Sequence, residues 1–304
     1  MPSNGVTRSA EENSVGETSD VAESSTSSKP QKVLVFGRTG AGKSAVANLL
    51  VTGDIKPVLF PSSNGVGGCT KKNKTETGRG YTVLDTVGLG EVLHSGKGNS
   101  SQMSADEMRN VAKSNMLEYL KSLKGDGGGD DKGYSHVIYV QKAGRLTAQD
   151  GLIWTIFEEI FKGAEDGFVV LFTKADEEWL ESNQNKIVEE MKKHPICVVD
   201  IPPASRFIWE ESKYKTIRTT SLQKLEEKLE DLFQKRNYKN VVPDITKMDL
   251  PQLEEKSKSI LQKICWFISH VGREGWEFAK TVIRSLIVYE LLSLVDFRDL
   301  LDGM

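Results

Sequence analysis

KVLVFGRTGAGKS, residues Lys32 to Ser44, is the stretch from which the rest of the chain is read. Lys32–Phe36 is a short apolar run with Val at alternate positions, and it ends in glycine. This is the pattern of a buried strand of a parallel sheet feeding a tight turn. From Ser44 to Val51 the apolar residues Val46, Leu49 and Leu50 fall at helical spacing. Between strand and helix, Gly37, Arg38, Thr39, Gly40, Ala41, Gly42, Lys43 and Ser44 match G-x-x-x-x-G-K-[ST] in full. The glycines let backbone N–H groups turn inward around phosphate oxygens, and the helix N-terminus adds positive potential. These eight residues, with Ala45, are candidate nucleotide ligands. Lys43 would reach the β- and γ-phosphates as a catalytic cation, and Ser44 would ligate Mg²⁺.

Further strands are expected at Tyr81–Leu84, His136–Val140, Phe168–Phe172 and Ile196–Asp200. Helical patterns lie at about 104–123, 149–162, 177–193 and 220–236. The last begins with Thr220-Ser-Leu-Gln223, a capping-box pattern, and carries Leu222, Leu225, Leu229, Leu232 and Phe233 on one face. Strands alternating with helices predict an α/β domain with a mostly parallel, doubly wound sheet over residues 31–236. Residues 1–30, rich in Ser, Thr, Glu and Gly, cannot bury enough apolar surface to offset chain entropy and are expected to be disordered. Residues 237–304 read as a linker punctuated by Pro243 and Pro251, then helices at about 252–270 and 274–301.

Two more motifs follow strands. Asp85-Thr-Val-Gly88 suits a carboxylate that holds Mg²⁺, with the Gly88 N–H meeting the γ-phosphate. Thr173-Lys-Ala-Asp176 fits [NT]-K-x-D, in which the Asp accepts hydrogen bonds from guanine N1–H and its amino group. Adenine offers a bare N1 acceptor there, so the same carboxylate repels it. Thr173, Lys174 and Asp176 are therefore candidate base-site residues. A threonine that closes over phosphate and Mg²⁺ should lie between the first two motifs; Thr70 is the candidate, with Ser63 and Thr75 as rivals. Lys71–Lys74 reads as a solvated basic face.

A Gln follows the glycine of D-x-x-G in Ras-like switches, where it orients the attacking water. Here the residue is Leu89, which can neither donate nor accept a hydrogen bond.

The net charge of −3 gives no general attraction to nucleic acid. Cys69, Cys197 and Cys265 lack metal-ligand spacing and read as reduced thiols of a cytoplasmic protein. The N-terminus has no apolar stretch of signal-peptide type, Pro2 excludes N-myristoylation, and the C-terminal DLLDGM has no prenylation cysteine. Ser285–Val295 is strongly apolar, but charges interrupt it well short of the roughly 20 residues a spanning helix needs. Packing against the domain or a partner subunit is therefore expected, with membrane association possible but not favoured.

Gly37–Ser44, Asp85–Gly88, Thr173–Asp176 and Ala143-Gly-Arg-Leu-Thr-Ala-Gln-Asp150 together resemble the immunity-associated nucleotide-binding (IAN or GIMAP) GTPases, relatives of the septins and the chloroplast import GTPases. The resemblance covers about residues 31–236 and implies a P-loop NTPase G domain that binds GTP and GDP with Mg²⁺. It departs at Val87, where the family often has Pro, and the fifth base-binding motif is not readable at Pro202-Pro-Ala-Ser205. Family members associate across the nucleotide face, and in some the arginine of the G-R-x-T box acts on the partner subunit's nucleotide. The resemblance thus implies a homodimer with Arg145 as a finger in trans; the other reading of Arg145 is a surface salt bridge or a helix start. Arg38 is a second finger candidate, and His94 a candidate for positioning water. The expectation is a switch-like GTPase of low intrinsic rate that hydrolyses GTP to GDP and phosphate and is activated by nucleotide-dependent dimerisation. A GTP-gated scaffold with negligible hydrolysis, assembling like a septin, is the competing expectation.

Overall fold

A computed structural model describes residues 30–61, 73–88, 105–124, 133–144, 146 and 148–270. Its elements are β1 (Gln31–Gly37), α1 (Lys43–Thr52), β2 (Lys74–Gly78), β3 (Tyr81–Asp85), α2 (Ala105–Lys124) and β4 (His136–Lys142). There follow α3 (Ala148–Ile160), β5 (Phe168–Thr173), α4 (Glu177–Asn183), α5 (Glu189–Lys192), β6 (Ile196–Val199), α6 (Ile208–Lys235) and α7 (Leu250–His270).

The described strands form one sheet in the order β2-β3-β1-β4-β5-β6. β1 pairs in parallel with both β3 and β4, and β5 in parallel with β4 and β6. Only β2 runs antiparallel, at the edge beside β3. The inner strands are apolar on both faces because helices cover both: Val33, Leu34, Val35 and Phe36 are all fully buried.

On one face α1 and α6 contribute Val46, Leu49, Leu50, Leu222, Leu225 and Leu229 to the core. On the other, α2, α3 and α7 supply Met116, Leu120, Trp154, Phe157, Ile260 and Ile264. Aromatic rings dominate this second layer. Phe36 and Phe157 lie 5.4 Å apart between centroids, and Trp154 meets Tyr139 edge-on at 5.1 Å. Such pairs are worth roughly 0.5–1.5 kcal/mol each beyond their area.

The expected strands and the doubly wound arrangement are present, but three local expectations fail. β2 was not anticipated: KTETG is an exposed edge strand, so it lacks the apolar signal of a buried one. The helix expected over 177–193 is broken, because Ile187 turns extended (φ −70°, ψ 137°) to enter the core, where it is 2% exposed. The capping-box pattern at Thr220–Gln223 is not a helix start, since α6 begins at Ile208 and runs straight through it. Residues 208–219 showed no apolar face because they pack on little; the helix simply propagates through them.

α7 joins the main core rather than standing apart. Leu253, Ile260 and Ile264 are buried against α2 and α3, and Tyr134 bridges to Val241 at the start of the extension. Glu159 on α3 pairs with Lys263 at 2.5 Å and stands 3.9 Å from the buried Lys256. The segment 1–29 and the helix expected over 274–301 lie outside the described residues.

Candidate functional site

The site forms where β1, β3 and β5 end at their carboxyl edges, the position at which open α/β sheets bind ligands. Gly37 closes β1, Arg38–Ala41 make the turn, and Gly42 is the N-cap of α1. Gly42 has φ 99°, and a side chain there would also press on Thr173, 3.3 Å from its Cγ2. Only glycine takes this backbone without strain. Lys43, Ser44 and Ala45 occupy the first turn of α1, with Lys43 and Ser44 buried. The Lys43 ammonium donates to the Arg38 carbonyl at 3.3 Å, folded over the loop it would use to reach phosphate.

Asp85, the last residue of β3, is fully buried. Ser44 Oγ donates to Asp85 Oδ2 at 2.7 Å. Two oxygen-bearing side chains from different elements, the candidates for holding Mg²⁺, thus converge at the head of α1. Among the described residues no group of three or more His, Cys, Asp or Glu could hold a metal. The Ser44 hydroxyl and Asp85 carboxylate are the kind of donors Mg²⁺ takes, since it uses one or two protein oxygens and fills the rest of its shell from water and phosphate. The residues present fit the ion.

The loop after β3 is strapped down on both sides. Thr86 is buried and bonds the Val35 carbonyl through its N–H at 3.2 Å and its hydroxyl at 2.8 Å. The Val87 N–H donates to Asn73 Oδ1 at 2.8 Å. Gly88 lies against the phosphate loop, and a Cβ there would fall 2.2 Å from Thr39 Oγ1. Burial, with the Asp85 charge adding to it, holds the Tyr119 phenol far above its ordinary pKa, so it stays neutral beside this loop.

β5 delivers the candidate base-site residues. Thr173 Oγ1 donates to the Ala41 carbonyl at 2.7 Å. Lys174 takes φ 58°, a left-handed backbone rare for a residue with a side chain. Asp176 caps α4, accepting from the Trp179 N–H at 2.8 Å. The cap and the base-reading role are compatible, since a carboxylate has further acceptor sites. Lys174, Asp176, Glu178, Trp179, Asn183 and Asp200 line a cavity of about 450 Å³.

Thr75, one rival for the closing threonine, sits on β2 opposite Leu84. Thr70, Ser63, Leu89, His94 and Arg145 lie outside the described residues. Of the box around Arg145, Asp150 is buried and accepts from Gln141 Nε2 at 3.1 Å, which pins the start of α3 to β4. Cys197 is a buried free thiol whose pKa burial pushes up to about 11, so it is inert at neutral pH.

Sequence reasoning missed Asn48 and Asn73. The buried Asn48 accepts from the Leu59 and Phe60 N–H groups, each at 2.9 Å, and donates to the Phe60 carbonyl at 2.7 Å. It thereby anchors the chain leaving α1. Its only signal was an amide inside an otherwise apolar helical face. Asn73 carried none, since it sits in a basic run.

Phosphate loop, sheet order and edge strand together give the fold of a P-loop NTPase G domain. No family model matches the chain, and no curated protein sequence does. Solved structures do resemble it. One is Toc33 from Arabidopsis thaliana in complex with GDP and Mg²⁺: 15% identity, 71% of this chain, 89% of that chain, TM-score 0.39. Another is the G domain of the FeoB iron transporter of T. maritima: 20% identity, 66% of this chain, 98% of that chain, TM-score 0.31. A third is the translation elongation factor SelB of Methanococcus maripaludis with the GTP analogue GppNHp: 14% identity, 64% of this chain but only 34% of that chain, TM-score 0.28.

Proposed function

We propose that the protein binds GTP and GDP with Mg²⁺ and hydrolyses GTP to GDP and phosphate as a slow, dimer-activated switch of the IAN/GIMAP type. The observation that carries this reading is the Thr173–Ala41 bond, which ties a guanine-type motif directly to a complete phosphate loop. In this reading the Asp176 carboxylate keeps acceptor capacity for a guanine base beyond the one bond it takes as the cap of α4.

The backbone from Gly37 to Ala45 cradles the phosphates, and Lys43 neutralises charge that develops as the γ-phosphoryl group leaves. Ser44 and Asp85, with Thr70, would hold Mg²⁺; when bound, the ion neutralises phosphate charge. Gly88 offers its N–H to the γ-phosphate. Asp176 selects guanine, with Thr173 and Lys174 fixing its loop. Residues 31–236 make up the GTP-binding unit and 237–304 its C-terminal extension, in a cytoplasmic protein.

Leu89 cannot orient water, so catalysis is completed by a second copy facing the nucleotide, with Arg145 reaching across. Such an arginine is worth about 10³–10⁵ in rate. Leu89 equally favours a second reading, a GTP-gated scaffold with negligible hydrolysis. GTP turnover per subunit, followed over a wide range of protein concentration with an ATP control, separates the two. Turnover that rises with concentration and disappears in Arg145→Ala, with GTP affinity kept, is the expected result. Flat, near-zero turnover with tight GTP binding selects the scaffold.

A further inference from the structure

The β6 strand ends at Val199, and the next residue, Asp200, exchanges hydrogen bonds with Ser221: its N–H donates to Ser221 Oγ at 3.0 Å and its carbonyl accepts at 2.8 Å. Ser221 therefore marks the level of the sheet's carboxyl edge on α6. Trp209 lies twelve residues earlier on the same helix, about 18 Å further along its axis at 1.5 Å per residue. The first turns of α6 thus project past the sheet.

This projection is braced. Arg218, 1% exposed, donates through Nε to Asp54 at 2.5 Å, through Nη2 to Glu211 at 2.5 Å and through Nη1 to the Pro202 carbonyl at 3.2 Å. Glu211 also accepts from the Ser205 N–H at 2.5 Å, and Glu210 takes the hydroxyls of Ser205 and Tyr214. The tip beyond this brace carries Phe207, Ile208 and Trp209, exposed by 63, 89 and 74%. Phe207 and Trp209 stack with ring centroids 6.4 Å apart.

Three adjacent large apolar side chains held in water at the end of a braced helix are an unstable arrangement unless something covers them. The charges around them state what kind of surface that is. Arg206, Lys213 and Lys215 are exposed on the same segment, whereas its two carboxylates, Glu210 and Glu211, are turned back onto Ser205, Tyr214 and Arg218. Apolar and aromatic residues rimmed by cations complement an anionic interface.

A protein partner is the weaker fit. Side chains of this size bury roughly 150–250 Å² each, so the tip offers less than the roughly 800 Å² per partner of a stable protein pair. Insertion into a headgroup region has no such threshold.

We propose that the projecting tip of α6 docks the protein on an anionic lipid bilayer, with Phe207, Ile208 and Trp209 inserting and Arg206, Lys213 and Lys215 resting on headgroups.

The test is flotation of the full chain with phosphatidylcholine vesicles, with and without phosphatidylserine. Phe207→Ala/Trp209→Ala and, separately, Lys213→Glu/Lys215→Glu are run beside it, with GDP affinity as the check that each variant is folded. The expected result is binding that requires phosphatidylserine and falls at least about tenfold in both variants, at unchanged GDP affinity. Absence of wild-type binding to phosphatidylserine vesicles overturns the proposal. So does equal binding by wild type and both variants, which would put the lipid contact elsewhere on the chain. A variant that fails to float differently but loses a dimer seen in sedimentation assigns the tip to a second copy, and overturns it as well.

Discussion

The Thr173 hydroxyl donates to the carbonyl of Ala41 at 2.7 Å, joining the end of β5 to the middle of the phosphate loop. Thr173 is buried, so this bond has no competing water, and the same side chain abuts Gly42. The loop that would hold phosphate and the loop that would read the base are therefore joined directly.

Thr173→Val keeps the shape but leaves the Ala41 carbonyl without its donor. An unsatisfied buried acceptor costs about 1–3 kcal/mol. GDP affinity is expected to fall about tenfold, and Thr173→Ser should restore most of it, as titration with a fluorescent nucleotide would report. Equal affinity in Thr173→Val would mean that the loop keeps its form without this tie.

Asp176→Asn separates the two roles of that residue. Asn caps helices about as well as Asp, so α4 should stay intact and thermal stability should change little. The side chain now presents one acceptor and one donor, which suits a base with a carbonyl in place of the guanine amino group. GTP affinity should drop about a hundredfold or more, while xanthosine triphosphate gains. A variant that retains full GTP preference would leave Asp176 as a helix cap alone.

His136 is fully buried at the start of β4, and its pKa is lowered to about 3, first by burial and then by the Arg236 charge. An unfolded His has a pKa near 6.5. Between those values the unfolded chain takes up a proton that the folded chain refuses. The stability is therefore complete above about pH 6.5 and declines as pH falls towards 3, by up to about 2 kcal/mol at pH 5. His136→Leu should flatten this acid slope relative to wild type in chemical denaturation at pH 7.5 and pH 5.

Much of the site was legible because its motifs are short and contiguous. A strand, a glycine turn and the first turn of a helix follow from local backbone preferences, and Gly37–Ser44 encodes all three within one stretch. The same holds for Thr173–Asp176, which comes straight off an apolar strand. β2 was not legible, since one exposed edge strand carries no burial pattern. Nor was the true start of α6, because the projecting turns lack an apolar face; the segment that sequence patterning passes over is the one that reaches beyond the sheet.

By itself the sequence determined the alternation of strands and helices, the phosphate-loop motif and the candidate for a base-reading carboxylate. Each of these is a property of neighbours along the chain. Only the tertiary structure decided that Ser44 meets Asp85 across 41 residues and that Thr173 meets Ala41 across 132. It alone placed α7 in the main core and left the α6 tip standing in solvent. Such relationships depend on how the strands are ordered in the sheet and which helix covers which face. No local preference encodes them, because they arise when apolar faces far apart in sequence are buried together.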